Sequence, residues 1–157
     1  MTDMHVRPAR ASDPQDRAFL RAMAPRLETG MPPWIPPGAL AAAVERSVLD
    51  ALDARREGEA ILVAADAQGR RLGFVYATTT RGGLSDEPLG YVSEFAVAAD
   101  AEGRGVARAL LDTAERWRRD RGMAAMMLRV FCANTHARAV YEHLGYEPDV
   151  LQLRKRL

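Results

Sequence analysis

Residues 91–111 read YVSEFAVAADAEGRGVARALL, and the reading of this stretch decides the fold. Tyr91 to Val97 is an apolar run of strand length, Gly103 and Gly105 mark a turn, and Val106 opens a segment with apolar residues at helical spacing. A strand, a glycine turn and a helix start leave several backbone N–H groups unpaired and aimed at one point. The positive end of the helix dipole adds to the attraction for anions there. Such a nest suits a phosphate. Glycine at 103 and 105 lets the backbone take positive φ and admits a diphosphate to the main chain, and Ala107 keeps that approach open one step later.

Two well-known phosphate motifs do not account for the stretch. There is no G-x-x-x-x-G-K-[ST], and Gly103-Arg104-Gly105-Val106-Ala107-Arg108 has Arg108 where the dinucleotide fingerprint needs a third small residue. The stretch instead resembles the acetyl-coenzyme A loop of the GNAT superfamily of N-acetyltransferases, whose pattern is Arg/Gln-x-x-Gly-x-Gly/Ala after a strand ending in valine. Here it reads Glu102-x-x-Gly105-x-Ala107 after Val97. Further on, Asn134-x-x-Ala137-x-x-x-Tyr141-x-x-x-Gly145-Tyr146 resembles the family's C-terminal motif, Asn-x-x-Ala-x-x-x-Tyr-x-x-x-Gly-Phe. Two motifs in the expected order and at the expected separation are more specific than either alone. The departure is Glu102: a carboxylate beside a diphosphate costs affinity, and Arg104 and Arg108 stand near enough in sequence to offset it.

Composition narrows the remaining classes. A chain of 157 residues is read as one domain, 1–157, that buries roughly two thirds of its unfolded surface and needs no metal or disulfide for stability. A formal net charge of +1 gives no electrostatic case for nucleic acid or an anionic membrane, and Arg118-Arg119-Asp120-Arg121 reads as the solvated face of a helix. No apolar stretch approaches the ~20 residues of a membrane span, and MTDMHVRPAR has no apolar signal core. A cytoplasmic location is the expectation. Cys132 has no disulfide partner and reads as a small buried apolar residue. His136 and His143 are two helical turns apart, too far for a paired metal site, and read as surface residues. Arginine in place of lysine and abundant alanine point to a GC-rich bacterial source.

The other elements follow in chain order. Met4 to Arg7 is a first strand, and Ser12 with Gln15 fits a capping box, with Pro14 in the first helical turn. The proline-rich run from Leu27 to Gly38 is a stiff loop. Leu40, Val44, Val48 and Ala51 mark a helix from Ala39 to about Arg56. Ala60 to Ala65 and Arg71 to Thr79 form a hairpin across Asp66 to Arg70, and a loop from Arg81 to Gly90 leads into the central strand. After the glycine turn, Val106, Leu110, Ala114 and Trp117 stripe a helix that Gly122 ends, and Met126 to Cys132 is a parallel strand. Asn134 caps the next helix, Gly145 and Tyr146 fit its C-terminal cap, and a strand from about Val150 to Arg154 completes the sheet.

The resemblance implies an α/β fold: a mixed, largely antiparallel sheet with a parallel central pair, flanked by helices. It implies acetyl-CoA as co-substrate and direct acetyl transfer to a primary amine on a small molecule, peptide or protein. A homodimer is compatible with it. The diphosphate goes to the amides of Gly103, Arg104, Gly105, Val106, Ala107 and Arg108, and main-chain groups of Phe95 and Val97 hold the pantetheine and acetyl carbonyl at a bulge. Tyr141 is the acid for the departing thiolate; the alternative is a core tyrosine bonded to a backbone carbonyl. Asn134 bonds the pantetheine as well as capping its helix. Glu94 either orders a water as base or binds the substrate ammonium, or is a strand carboxylate paired with an arginine such as Arg129. Trp34 and Ile35 either wall the substrate pocket or plug the core. Another acyl donor, or a sensor that binds acyl-CoA without turnover, are the rival readings.

Overall fold

The computed structural model describes residues 4–157. Its sheet runs in the order β1 (Met4–Pro8), β2 (Ala60–Asp66), β3 (Arg71–Arg81), β4 (Pro88–Val97), β5 (Met126–Leu128). The first four strands are antiparallel neighbours and β4 pairs with β5 in parallel, which is the mixed sheet expected. The helices are α1 (Pro14–Met23), α2 (Ala39–Ala54), α3 (Val106–Arg119) and α4 (Thr135–His143), with a 3-10 helix at Ala24–Glu28. Among the described residues no helix is long and apolar enough to cross a membrane.

The runs of β2 and β3 are apolar on both faces because both faces are covered. On one face, Val63, Phe74 and Tyr76 pack against Leu20 of α1 and Val44 and Val48 of α2. On the other, Leu62, Leu72 and Val75 meet Val106, Leu110 and Leu111 of α3. Gly73 sets how close α3 comes: a Cβ there would lie 3.1 Å from the side chains of both Leu110 and Val106. The β2–β3 turn is fixed by Asp66, whose Oδ1 accepts from the amides of Gln68 at 3.1 Å and Arg70 at 2.9 Å.

The first helix is tied to the sheet through a buried charge. Asp16 is fully buried and accepts from Arg7 Nη1 at 2.7 Å, Arg7 Nη2 at 2.9 Å, Arg71 Nε at 2.9 Å and the Arg10 amide at 2.9 Å. Burial raises its pKa, but the bonds from Arg7, Arg10 and Arg71 outweigh that and hold it at about 2. The cap of α1 is Asp13 and not Ser12: Asp13 Oδ1 accepts from the Gln15 amide at 2.9 Å. Pro14 at the first helical position forces the cap onto the residue before it.

Other expectations need correcting. β3 and β4 run on to the pair Arg81–Pro88, so the loop between them is only residues 82–87. β5 ends at Leu128, well short of Cys132, and Cys132 is exposed. No strand forms at 150–154: Val150, Leu151 and Leu153 are exposed, and a three-residue β5 offers too short an edge to pair with. Arg118 is not on a solvated face. It is fully buried, with Nη1 donating to Thr79 Oγ1 at 3.1 Å and Nη2 to the Gly58 carbonyl at 2.5 Å. Its position belongs to the same stripe as Ala114 and Leu111, one turn and two turns back, and those residues are also buried. His136 and His143 are exposed, as expected.

Candidate active site

The site begins where β4 parts from β5. Their pairing stops at Val92–Leu128, whereas β4 continues to Val97. Five residues of β4 are therefore left with one edge unpaired along a cleft. The Ala98 amide donates to the Leu72 carbonyl on β3. Successive strand residues turn their N–H and C=O to alternate edges, so Val97 and Phe95 turn theirs toward the cleft. The register of β3 against β4 skips a residue between Tyr76 and Ala77, which makes Ser93 the extra residue of a bulge. Ser93 Oγ lies 2.8 Å from Thr78 Oγ1, and Glu94 follows it, on the α2 side of the sheet.

The glycine turn sits at the end of that free edge. Gly103 and Gly105 have φ of +70° and +79°, and no atom of the described residues lies within 4 Å of where a Cβ would stand on either. Gly105 is the N-cap of α3 and no side chain caps it, so the amides of Val106, Ala107 and Arg108 have no partner within the helix. This cradle fits a diphosphate in size and polarity. Val106, Ala107 and Arg108 line the cleft with the two glycines, whereas Arg104 is exposed and outside its lining. Glu102 is not offset by Arg104 or Arg108. Its Oε1 pairs with Arg26 of the 3-10 helix, and its Oε2 lies 3.6 Å from His136 Nε2. Arg26 is distant in sequence, and no local pattern pointed to it.

Tyr141 of α4 enters the cleft from the α3 side. Its ring packs on Phe95 at 6.1 Å and on Tyr146 at 5.9 Å between centroids. Tyr146 is held in turn by a bond from its hydroxyl to Glu115 Oε1 at 2.9 Å. The Tyr141 hydroxyl makes no hydrogen bond among the described residues, so the backbone-carbonyl alternative is not what holds the ring. Burial pushes its pKa up to about 12. The α4 caps are as read: Asn134 Oδ1 accepts from the Ala137 amide at 3.1 Å, and the amides of Tyr146 and Gly145 return to the carbonyls of Tyr141 and Glu142, both at 3.0 Å.

Glu94 makes no pair with Arg129, which is exposed beyond the end of β5. Its Oε2 is buried and has no hydrogen-bond partner among the described residues. Burial raises its pKa to about 7, with the Ser47 hydroxyl of α2 pulling the other way. Trp34 and Ile35 line the same cleft, and Trp34 is half-exposed, so it does not plug the core. Their loop is pinned at both ends. Glu28 Oε1 and Oε2 accept from the amides of Ala41 at 3.0 Å and Gly38 at 3.2 Å, capping α2, and Gly30 at φ +76° abuts Asn134 too closely to carry a Cβ. Neither Glu28 nor Gly30 carried a sequence signal, since their partners lie across a loop or a hundred residues away.

Comparison with known proteins places this geometry. Residues 28–146 match the model of the Acetyltransferase (GNAT) family. The chain belongs to the GNAT acetyltransferase family. That family is one of acetyltransferases. Among curated proteins, a mycothiol acetyltransferase of Rhodococcus jostii is 39% identical over 85 residues, covering 54% of this chain and 28% of that protein. One of Propionibacterium freudenreichii is 34% identical over 112 residues, covering 65% and 34%. The chain thus spans about a third or less of the relatives it matches. Among solved structures, the aminoglycoside N-acetyltransferase AAC(6')-Iy in complex with CoA superposes with a TM-score of 0.73 at 22% identity, over 100% of this chain and 97% of that one. A GCN5-related N-acetyltransferase from Ralstonia eutropha gives 0.74 at 18%, over 98% of each chain. At such identities the structures establish the shared GNAT fold.

Proposed function

We propose that this GNAT chain, as one domain, moves the acetyl group of acetyl-CoA directly to a primary amine, in the cytoplasm, where acetyl-CoA is made. One observation carries the reading: the free edge of β4 runs between a backbone phosphate cradle and two partly buried ionisable side chains, Glu94 and Tyr141, on opposite sides of the strand. Bound acetyl-CoA supplies an activated acetyl carbonyl and a thiolate leaving group. The amides of Gly103 to Arg108 hold the diphosphate, with Arg108 and Arg104 nearby, and the main chain of Phe95 and Val97 aligns the pantetheine and polarises the acetyl carbonyl. Asn134 adds a bond to the pantetheine. Glu94 takes the proton from the incoming ammonium, and its raised pKa lets it do so near neutral pH. Tyr141 keeps its proton through the neutral range and gives it to the sulfur. Glu102, whose carboxylate would weaken diphosphate binding if it were free, is paired with Arg26, so it gives no support to a sensor without turnover.

The test is the thermal midpoint with and without acetyl-CoA. Ligand at about a hundred times its dissociation constant adds ~2.7 kcal/mol, a rise of roughly 5–10 °C at this chain length. Gly105→Val, which puts a branched side chain at φ +79° in the cradle, is expected to abolish the rise; a rise that survives it places the diphosphate elsewhere. Tyr141→Phe is expected to lower kcat about tenfold to a hundredfold, the low end of acid–base effects because a thiolate leaves readily. Its KM for acetyl-CoA stays within about twofold of the parent. Unchanged kcat removes the acid role.

A further inference from the structure

The acceptor half of the cleft, on the α2 side of β4, has an unusual balance of charge. Met31, Trp34 and Ile35 of the proline-rich loop, with Leu40 and Val44 of α2, give it apolar walls. Polar groups at its floor are few: Ser93, bonded to Thr78, and the buried carboxylate of Glu94 with its unpartnered oxygen. Neighbouring carboxylates are already engaged, Glu28 by the amides that start α2 and Glu102 by Arg26. Glu87, Glu142, Glu147 and Asp149 line the cleft only at its exposed surface, where water screens them. At the rim, the guanidinium of Arg154 lies 5.1 Å from the centre of the Trp34 ring and makes no ion pair among the described residues.

One buried negative charge, apolar walls and a cation at the rim select among amines. A second ammonium on the acceptor would face Arg154 or an apolar wall, with free carboxylates only at the exposed surface where water screens them, and sugar hydroxyls would exchange water for the apolar walls of Trp34, Ile35 and Leu40. An apolar or aromatic body would bury its surface against those same residues. Resting on the N-acetyltransferase reading above, we infer that the acceptor is a monoamine whose ammonium is carried on an apolar or aromatic body, and that polycationic amino sugars are poor acceptors.

The experiment compares phenethylamine and tryptamine with neamine and spermidine, reading free thiol released from acetyl-CoA at pH 8, with CoA binding measured calorimetrically on the same sample. The aromatic monoamines are expected to show kcat/KM at least about tenfold above neamine and spermidine. Trp34→Ala, at an exposed position that leaves the core intact, is expected to raise KM for phenethylamine about fivefold to tenfold with KM for acetyl-CoA unchanged. Arg154→Ala is expected to narrow the gap between the two amine groups. Neamine or spermidine turning over as well as phenethylamine overturns the inference. So does CoA binding with no amine acetylated, although that outcome leaves the cofactor cradle standing. Failure to bind CoA removes the N-acetyltransferase reading itself.

Discussion

Asp16→Asn is expected to lower the thermal midpoint by about 10 °C. Asparagine keeps the shape of the side chain, but it leaves Arg7 and Arg71 facing each other across a neutral group in a site where Asp16 is fully buried. Removing one partner of a buried ion pair costs about 3–5 kcal/mol, and at this size each kcal/mol is worth roughly 2–4 °C. The exposed pair Asp50–Arg56 is the control: Asp50→Asn is expected to shift the midpoint by about 1 °C or less. The pH dependence follows the same charge. Asp16 has a folded pKa lowered from 3.8 to about 2, so its contribution is fully present above pH 3.8 and is lost as pH falls through 2. Equal shifts for Asp16→Asn and Asp50→Asn would mean that the network does not tie α1 to the sheet.

Glu94→Gln is expected to do the reverse, trading activity for stability. With the base gone, kcat/KM at pH 8 falls about a hundredfold or more, and the acidic limb of the parent profile, centred near pH 7, disappears. The stability effect has the opposite sign to that of Asp16. The folded pKa of Glu94 is raised from 4.5 to about 7, so the folded chain binds the proton more tightly and loses stability as pH rises across that window. Glutamine keeps a neutral side chain at every pH, and the variant is expected to be more stable than the parent at pH 8 by about 3 kcal/mol. At pH 4 the two should match. A retained acidic limb would assign the base to another group.

The sequence carried much of this because the fold repeats local rules. The stripes of α2 and α3, the Asp66 turn, the glycine turn and the Asn134 cap are each set by residues within a few positions of one another, and each stands as read. What it did not carry is long-range. Arg118 sits in an Arg-Arg-Asp-Arg run that looks solvated, yet it is drawn inward by Thr79 and the Gly58 carbonyl, 39 and 60 residues away. The partner of Glu102 is 76 residues off, and Glu28 caps a helix across a loop. The terminal strand read from Val150 to Arg154 depended on a neighbour of sufficient length, and β5 is only three residues long.

The two anchors of the proline-rich loop have a consequence for how such a protein diversifies. Glu28 secures the far end by its bonds at Gly38 and Ala41, and Gly30 seats the near end on Asn134. Between them, residues 31–35 line the cleft, the whole segment 31–37 has little core packing, and four of its seven residues are proline. The segment therefore behaves as a cassette. Its side chains can be exchanged wholesale, by evolution or by a library confined to those seven positions, without disturbing the phosphate cradle or the sheet, so that one scaffold passes from one acceptor to another in few mutational steps.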